Sequence, residues 1–334
     1  MALQVSTGLP NCREGRLHPV GAVDTTWLAD VAQAAEELDY HSLWLNEFLS
    51  TDVSVTRAFD APPSYYDPIA TIAFLAARTA AVRFVPSTVV LPLHEPLLLA
   101  RQFATLDHLS NGRVTLGVGL GGSAEEFRRL RGDLASPNRG RMLDEYLAAL
   151  RLLWSEERTA SFDGEYVKFE AVEQFPKPLQ SPLPIYLAGS ADAVLERIAK
   201  YGNGWIDTVM SAEAVSAKRD QLRELLTQAG SSVTDPAITR QFYISIASSA
   251  DEAAKNLAES LPADRPAQSD ATASNVVDMS VVGDPDHVGG VLRRYVEAGV
   301  TEVCAIFYAP DGAAAMRQME MFMSEVVPQL VDGA

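Results

Sequence analysis

Short apolar segments alternate with longer amphipathic segments along almost the whole chain. Residues 185–188 form an apolar run of strand length, whereas residues 25–38 repeat Leu28, Val31 and Ala35 on one face of a helix. Asp24 stands just before that helix as a candidate N-cap. Repeated strand–helix units of this kind are typical of a parallel sheet whose strands are joined by crossover helices.

The pattern predicts eight strand–helix units and one additional helix. The predicted strands are residues 3–9, 42–45, 82–91, 114–118, 185–188, 205–209, 239–247 and 302–308. The predicted helices are residues 25–38, 69–80, 96–109, 141–154, 191–201, 212–229, 251–260, 285–298 and 313–330. This alternation predicts one α/β domain over residues 1–334, a (β/α)₈ TIM barrel with insertions.

Two segments interrupt the alternation. Residues 155–184 combine a hairpin-like stretch with a proline-dense stretch, and are expected to form an inserted surface segment. Residues 262–277 are rich in Ala, Ser, Asp and Pro, and follow the seventh predicted strand. Because loops after barrel strands emerge at the active-site mouth, this segment is expected to be a mobile loop or lid, with an idle surface loop as the alternative.

Composition narrows the function classes. A net charge of −17 removes the electrostatic attraction on which nucleic-acid binding depends. The sequence contains neither an apolar run long enough for a membrane span nor a signal-peptide pattern, so a cytoplasmic protein is expected. Two cysteines and five histidines show no metal-ligand spacing, and no metal is expected.

Candidate site residues follow the predicted strands, because the carboxyl ends of barrel strands carry the active site. The segment Gly189-Ser190-Ala191 opens a helix whose free N–H groups suit a phosphate, although Ser190 could be a simple N-cap. Residues 117–122 are glycine-rich, which suits close approach of a ligand or merely makes room for packing. Glu47 could bond a ring edge of a cofactor or lie solvated in a loop.

Several segments, in their order and spacing, resemble the bacterial-luciferase-like flavin and deazaflavin oxidoreductases over nearly the whole chain. They are Ser6-Thr7-Gly8-Leu9-Pro10, Trp44-Leu45-Asn46-Glu47, residues 89–96, residues 104–113 leading into Leu116-Gly117-Val118-Gly119, Arg139-Gly140-Arg141, Pro176-Lys177-Pro178-Leu179-Gln180 and residues 199–205. The resemblance implies a reduced FMN or coenzyme F420 with its ring across the barrel mouth, and a non-proline cis peptide near Thr88-Val89.

The resemblance implies most of the cofactor contacts, and positions in the neighbouring loops complete the expected site, while no catalytic acid or base is identified. Cofactor contacts are expected from Asn46, Glu47, Ser87, Thr88, Val89, Leu120, Gly121, Gly189, Ser190 and Ala191. A substrate pocket is expected from Asn11, Cys12, Phe48 and Tyr66. In the sugar-phosphate dehydrogenase branch a histidine follows the second-strand carboxylate and a glutamate follows strand four. This chain has Phe48 and Gly122 there, which disfavours that reaction.

The function expected from the resemblance is hydride transfer to, or monooxygenation of, a small organic substrate. An excess of Arg over Lys, typical of high-GC genomes, favours F420, although its acidic tail would need a basic strip such as Arg57, Arg128, Arg129 and Arg131. FMN stays open. A separate reductase is expected to supply reduced cofactor, and a homodimer is expected through the helices at residues 69–80 and 96–109. The alternative is a flavin-binding or partner-binding barrel that has lost its chemistry.

Overall fold

The structure is a computed structural model that describes residues 2–51, 61–121, 124–132, 138–207, 209–261 and 280–331. The segment at 262–277, predicted above as a mobile loop or lid, lies outside the described residues. So do Arg57 and Gly122.

Eight parallel strand segments surround a central core, and the third of them is divided in two. The barrel strands are β1 (Gln4–Gly8), β2 (Ser42–Leu45), β3 (Arg83–Pro86) with β4 (Val89–Val90), β5 (Leu116–Gly119), β8 (Ile185–Ala188), β9 (Gly204–Asp207), β10 (Ala237–Ile246) and β12 (Glu302–Phe307). Their order is β3-β2-β1-β12-β10-β9-β8-β5-β4. The Phe84 backbone closes the ring by bonding Arg113 and Thr115, each at 2.9 Å. The predicted barrel is confirmed.

Helices cover the outside of the barrel, and most end within two residues of the predicted positions, whereas the helix predicted at 69–80 ends four residues early. They are α1 (Thr25–Glu37), α2 (Pro68–Ala76), α3 (Pro96–Leu109), α4 (Ala124–Leu130), α5 (Arg139–Leu153), α6 (Asp192–Tyr201), α7 (Ala212–Gln228), α8 (Ala250–Ser260), α9 (Pro285–Glu297), α10 (Gly312–Met321) and α11 (Val327–Val331). The predicted continuous helix at 313–330 is interrupted, since the π-helical turn Phe322–Val326 separates α10 from α11.

The third predicted strand, residues 82–91, is not continuous. It divides into β3 and β4 around a non-proline cis peptide at Ser87-Thr88, one residue before the expected position. The neighbouring β5 lies so close that a Cβ on Gly117 would be 2.1 Å from the Pro86 carbonyl oxygen. A glycine at this position is therefore required for β3 and β5 to approach each other.

The amino-terminal base of the barrel is filled by a buried polar cluster. Glu302, at the start of β12, accepts hydrogen bonds from the hydroxyls of Ser6 (2.5 Å) and Ser42 (2.8 Å) and from the Trp44 indole (3.2 Å). All four side chains are buried. Because the two hydroxyls and the indole N–H all bond the same carboxylate oxygen, the cluster closes the base as a structural plug.

The segment 155–184, predicted as an insertion, contains an antiparallel pair, β6 (Ala160–Asp163) and β7 (Lys168–Val172), followed by the proline-dense stretch. Gln180 attaches that stretch to the barrel, since its amide donates to the Asp107 carboxylate and to the Val114 carbonyl, both at 2.7 Å. One further strand, β11 (Val281–Gly283), pairs with β10. It is three residues long, too short for its apolar pattern to be recognised beside the preceding polar segment.

Candidate active site

The loops that follow β1 and β2 are joined by the side chain of Asn11 at the mouth of the barrel. Its amide nitrogen donates to the Asn46 carbonyl (2.8 Å) and the Tyr66 carbonyl (3.1 Å), and its oxygen accepts the Asn46 N–H (3.1 Å). Asn11 is fully buried. Three residues predicted for the site are thus brought together, with Asn11 holding the loops in place.

Glu47 follows β2 and fixes the other side of the same rim. One carboxylate oxygen accepts the backbone N–H of Val90 at 2.7 Å, and the other lies 2.9 Å from the His94 ring nitrogen. The side chain is almost completely shielded from solvent. Glu47 therefore connects β2 to β4 and to the turn after it. His94 was not singled out from the sequence, although it lies within the segment 89–96 used for the resemblance.

Ser87 and Thr88 lie half-buried where β3 ends. The Gln241 amide reaches across the barrel from β10 and donates to the Ser87 hydroxyl at 2.5 Å. Thr88 fills the space that a side chain on Gly119 would need, since a Cβ there would be 2.7 Å from the Thr88 hydroxyl oxygen. The glycines at 117 and 119 thus make room for the neighbouring strand, which is the packing alternative considered for this run.

Gly121 follows β5 in a left-handed conformation, with φ of +72°. A Cβ there would lie 2.7 Å from Val90 and 2.9 Å from Phe127. Arg139 donates to the carbonyls of Leu120 and Gly121, each at 3.3 Å, and stacks on the Phe127 ring. The predicted positions Leu120 and Gly121 therefore lie beside β4, and the arginine of the Arg139-Gly140-Arg141 motif holds their backbone.

The segment Gly189-Ser190-Ala191 joins β8 to α6 and is exposed at the mouth. Ala191 occupies the N-cap position, and no side chain in the described part of the protein caps the helix. The other described helices longer than eight residues all have a side-chain cap, from Asp24, Asp67, Glu95, Asn138, Ser211, Ser249, Asp284 or Asp311. Ser190 is not the N-cap, and the first N–H groups of α6 face solvent without a side-chain acceptor.

Asp207 ends β9 and forms a buried ion pair with Arg240 of β10 at 2.5 Å. Its second oxygen accepts the backbone N–H groups of Val209 (3.2 Å) and Met210 (3.3 Å). The Arg240 guanidinium also lies over the Tyr295 ring, 4.9 Å from its centroid. Asp207 therefore holds the loop after β9 and has no free oxygen for proton transfer.

The other residues predicted for the substrate pocket lie around Asn11. Phe48 packs against Tyr65, with 5.5 Å between ring centroids, and the Arg16 guanidinium lies over the Phe48 ring. Burial raises the pKa of the Cys12 thiol to about 12. Cys12 is thus held as the thiol at neutral pH and is not a nucleophile.

His18 lies in the same loop, buried against the end of β12. Its Nδ1 is 2.9 Å from the Ala309 carbonyl, and its ring packs edge-on against Trp27. Burial lowers the pKa of His18 from 6.5 to about 4, so the folded protein holds the ring neutral.

Because the unfolded chain takes up a proton near pH 6.5 and the folded chain does not, stability should fall as pH drops below that value. The expected loss is about 3 kcal/mol by pH 4, from about 1.4 kcal/mol per pKa unit. The His18→Asn variant keeps a donor for the Ala309 carbonyl but cannot titrate. Urea unfolding of both proteins between pH 7 and pH 5 checks this, and parallel pH dependences would contradict it.

Two absences hold for the described part of the chain. No group of three or more His, Cys, Asp and Glu side chains there could hold a metal ion. Within the same ranges, no helix combines the length and apolar character needed to cross a membrane.

Comparison with known proteins agrees with this architecture. An F420-dependent glucose-6-phosphate dehydrogenase of Kineococcus radiotolerans is 28% identical over 324 residues, covering 91% of this chain and 92% of the relative. The oxygenase component of a flavin-dependent trigonelline monooxygenase of Acinetobacter baylyi is 30% identical over 157 residues, covering 47% of this chain and 41% of the relative. The crystal structure of a monooxygenase from Streptomyces bottropensis superposes with a TM-score of 0.76 at 22% identity, covering 98% of this chain and 99% of that one.

An uncharacterized protein of Mycobacterium tuberculosis is 41% identical over 145 residues, or 42% of this chain. That match spans half the length of the mycobacterial relative. A family model described as luciferase-like monooxygenase matches residues 7–302, which is most of the chain. The resemblance inferred from the sequence is therefore confirmed, and the chain belongs to the luciferase-like monooxygenase family.

Proposed function

We propose that this protein is an oxidoreductase that binds a flavin-type cofactor, F420 in preference to FMN, at the carboxyl-terminal mouth of its barrel. The observation that carries the proposal is the start of α6, where an exposed helix N-terminus at the mouth has no side-chain cap. A phosphate accepts such N–H groups and is favoured by the positive end of the helix dipole. Both F420 and FMN carry a phosphate and a flat ring.

The rim beside α6 suits the ring of such a cofactor. Ser87, Thr88 and the Leu120-Gly121 backbone lie at the ends of adjacent strands between Glu47 and Gly189, and three of these four residues have a small side chain or none. Since both oxygens of Glu47 are bonded to Val90 and His94, Glu47 holds the rim in position. The bound cofactor would supply the redox chemistry, and the protein would orient it and exclude water.

The preference for F420 rests on the relatives that span most of this chain. Three F420-dependent glucose-6-phosphate dehydrogenases each cover 91% of it, whereas the flavin-dependent trigonelline monooxygenase covers 47%. We do not propose their sugar-phosphate substrate for this protein, because Phe48 stands after the second-strand carboxylate, where that branch has a histidine. We infer hydride transfer between reduced F420 and a small organic substrate, with a separate reductase restoring the cofactor.

Steady-state turnover tests this proposal. Reduced F420 and reduced FMN are each supplied with a panel of carbonyl, enone and aromatic substrates, and cofactor oxidation is followed by absorbance with and without oxygen. Substrate-dependent oxidation of F420 without oxygen is expected. Turnover only with reduced FMN and oxygen would instead identify a monooxygenase. Tight cofactor binding without turnover on any substrate would favour a barrel that has lost its chemistry.

We also propose a homodimer formed through α2 and α3. The outer face of α3 exposes Leu98 (56% exposed) and Leu109 (61%), and the insertion docked beside it exposes Phe175 (55%) and Leu179 (51%). The insertion contacts α3 where the Gln174 amide bonds the Leu97 carbonyl at 2.8 Å. Exposed apolar side chains on adjoining elements favour a protein interface.

Sedimentation velocity checks the dimer. The wild-type protein should sediment as a dimer at micromolar concentration, and the Leu98→Glu variant should shift to monomer, because a charge at an apolar interface is costly to desolvate. Leu130→Glu, on α4, replaces another exposed leucine and serves as the control. A wild-type monomer, or equal dimerisation of both variants, would contradict the proposed interface.

A further inference from the structure

The Arg13 side chain turns back into the barrel, above the end of β1. Ser6 faces the interior, where it bonds Glu302, so Gly8, two residues further along the same strand, faces the interior too. A Cβ on Gly8 would lie 3.1 Å from an Nη atom of Arg13 and 2.8 Å from Ile306. The absence of a side chain at Gly8 thus makes room for the Arg13 guanidinium inside the mouth.

Arg13 is only 1% exposed, yet no acidic side chain among the described residues pairs with it. Its Nε donates to the Leu9 carbonyl (2.9 Å) and its Nη2 to the Asn46 amide oxygen (3.1 Å), and both acceptors are neutral. Within the described chain, its Nη1 is buried without any hydrogen-bond partner. Buried charges in proteins are nearly always paired, so an unpaired guanidinium in a ligand-binding mouth indicates an anion supplied from outside.

Tyr243 provides a second polar group near this guanidinium. It lies on β10 at the level of Ile306, in the same layer of the barrel as Gly8, and interacts electrostatically with Arg13. Tyr243 is half-buried, and no described residue bonds its hydroxyl. His18, also close to Arg13, is held neutral by burial, which lowers its pKa. The groups that interact most strongly with Arg13 are tyrosines and cysteines, none of them a carboxylate, so a carboxylate ligand would supply the missing counter-charge.

We propose that Arg13 binds the carboxylate of an anionic organic substrate through Nη1, with the Tyr243 hydroxyl as an additional donor. This assignment rests on the proposed function, since it names the class of substrate that would bind at the same barrel mouth. Nη1 is shielded from solvent, so a carboxylate reaches it by displacing a neighbouring side chain. Arg13 acts here as a substrate-binding residue and takes no part in transferring the hydride.

Ligand binding to the cofactor-loaded protein tests the proposal. The probes are matched pairs of a carboxylate and its amide: acetate and acetamide, hexanoate and hexanamide, benzoate and benzamide, nicotinate and nicotinamide. Affinities are measured by calorimetry in the wild type, in Arg13→Met and in Arg13→Lys. The control, Arg78→Met, removes the same charge from an exposed arginine on the outside of the barrel. Titrations of each protein with cofactor alone are run in parallel.

At least one carboxylate should bind the wild type ten-fold or more tightly than its amide. That preference should persist in Arg78→Met, weaken in Arg13→Lys and disappear in Arg13→Met, while cofactor affinity stays within a few-fold. The proposal is overturned if the wild type binds no carboxylate more tightly than its amide, or if this preference survives in Arg13→Met. It is also overturned by loss of cofactor affinity alone in Arg13→Met, since the guanidinium would then serve the cofactor.

If Arg13→Met does not fold, a crystal structure of the wild type with the tightest carboxylate decides the question. A carboxylate oxygen within hydrogen-bond distance of Arg13 Nη1 is expected, and a carboxylate bound elsewhere would refute the assignment. The two proposals fail separately. A carboxylate preference in a protein that binds neither F420 nor FMN would refute the proposed function alone.

Discussion

Replacing Ala191 with aspartate should weaken cofactor binding while leaving the fold as stable as before, or more stable. Ala191 is the N-cap of α6 and has the extended backbone that capping residues adopt. An aspartate there would accept the free N–H groups and stabilise the helix by about 1 kcal/mol. The same carboxylate would repel a phosphate and occupy its donors, so we expect about a 10- to 100-fold loss of affinity for FMN or F420.

Two controls separate charge from capping in this experiment. Ala191→Asn caps the helix without a charge and should lose less affinity than the aspartate variant. Riboflavin lacks the phosphate of FMN, so its affinity should be equal in all three proteins. Fluorescence titrations give the affinities, and thermal unfolding gives the stabilities. Unchanged FMN affinity in Ala191→Asp, or an equal loss for riboflavin, would place the phosphate elsewhere.

The largest loss of stability is expected from Asp207→Ala. The substitution leaves the Arg240 guanidinium buried without its counter-charge, and Arg240 already has an Nε without a partner in the described chain. Removing one partner of a buried ion pair typically costs about 3–5 kcal/mol. The backbone N–H groups of Val209 and Met210 would lose their acceptor as well. Equilibrium urea unfolding measures the effect.

Matched variants show whether the loss of the ion pair causes the loss of stability. Arg240→Met should be milder than Asp207→Ala, because Asp207 keeps its contacts with the Val209 and Met210 N–H groups. The double variant Asp207→Leu with Arg240→Met should recover much of the stability, since no charge is then left buried. An Asp207→Ala protein within about 1 kcal/mol of the wild type would mean that water compensates Arg240.

The barrel could be predicted from sequence because its signals are local. Helix α1 follows its N-cap Asp24, and β2 and β8 have the predicted bounds. The division of the third strand could not be predicted from its composition. It depends on the approach of Gly117 to the Pro86 carbonyl, a contact between two strands that are separated by a helix in the chain. Strand periodicity carries no information about such a contact.

Candidate site residues could be named from their position at strand ends and from the resemblance, but the contacts that they make could not be predicted. The Gly189-Ser190-Ala191 segment stands at a strand–helix junction, but its missing cap is visible only in the structure. Arg13 lies one residue beyond Cys12 and was not predicted, because its burial depends on the space left by Gly8. Gln241 was also missed, since its partner Ser87 lies across the barrel. A residue's role cannot be predicted from the local sequence pattern when it depends on contacts with distant parts of the chain.

A direct titration with the two cofactors tests whether a flavin-type cofactor binds at this mouth. The purified protein is titrated separately with F420 and with FMN, and binding is followed by cofactor fluorescence. We expect saturable 1:1 binding of at least one cofactor with a Kd of about 10 μM or less, and weaker binding of that cofactor to Ala191→Asp. Failure of both cofactors to saturate the wild type at about 1 mM would show that the mouth is not a flavin-type cofactor site.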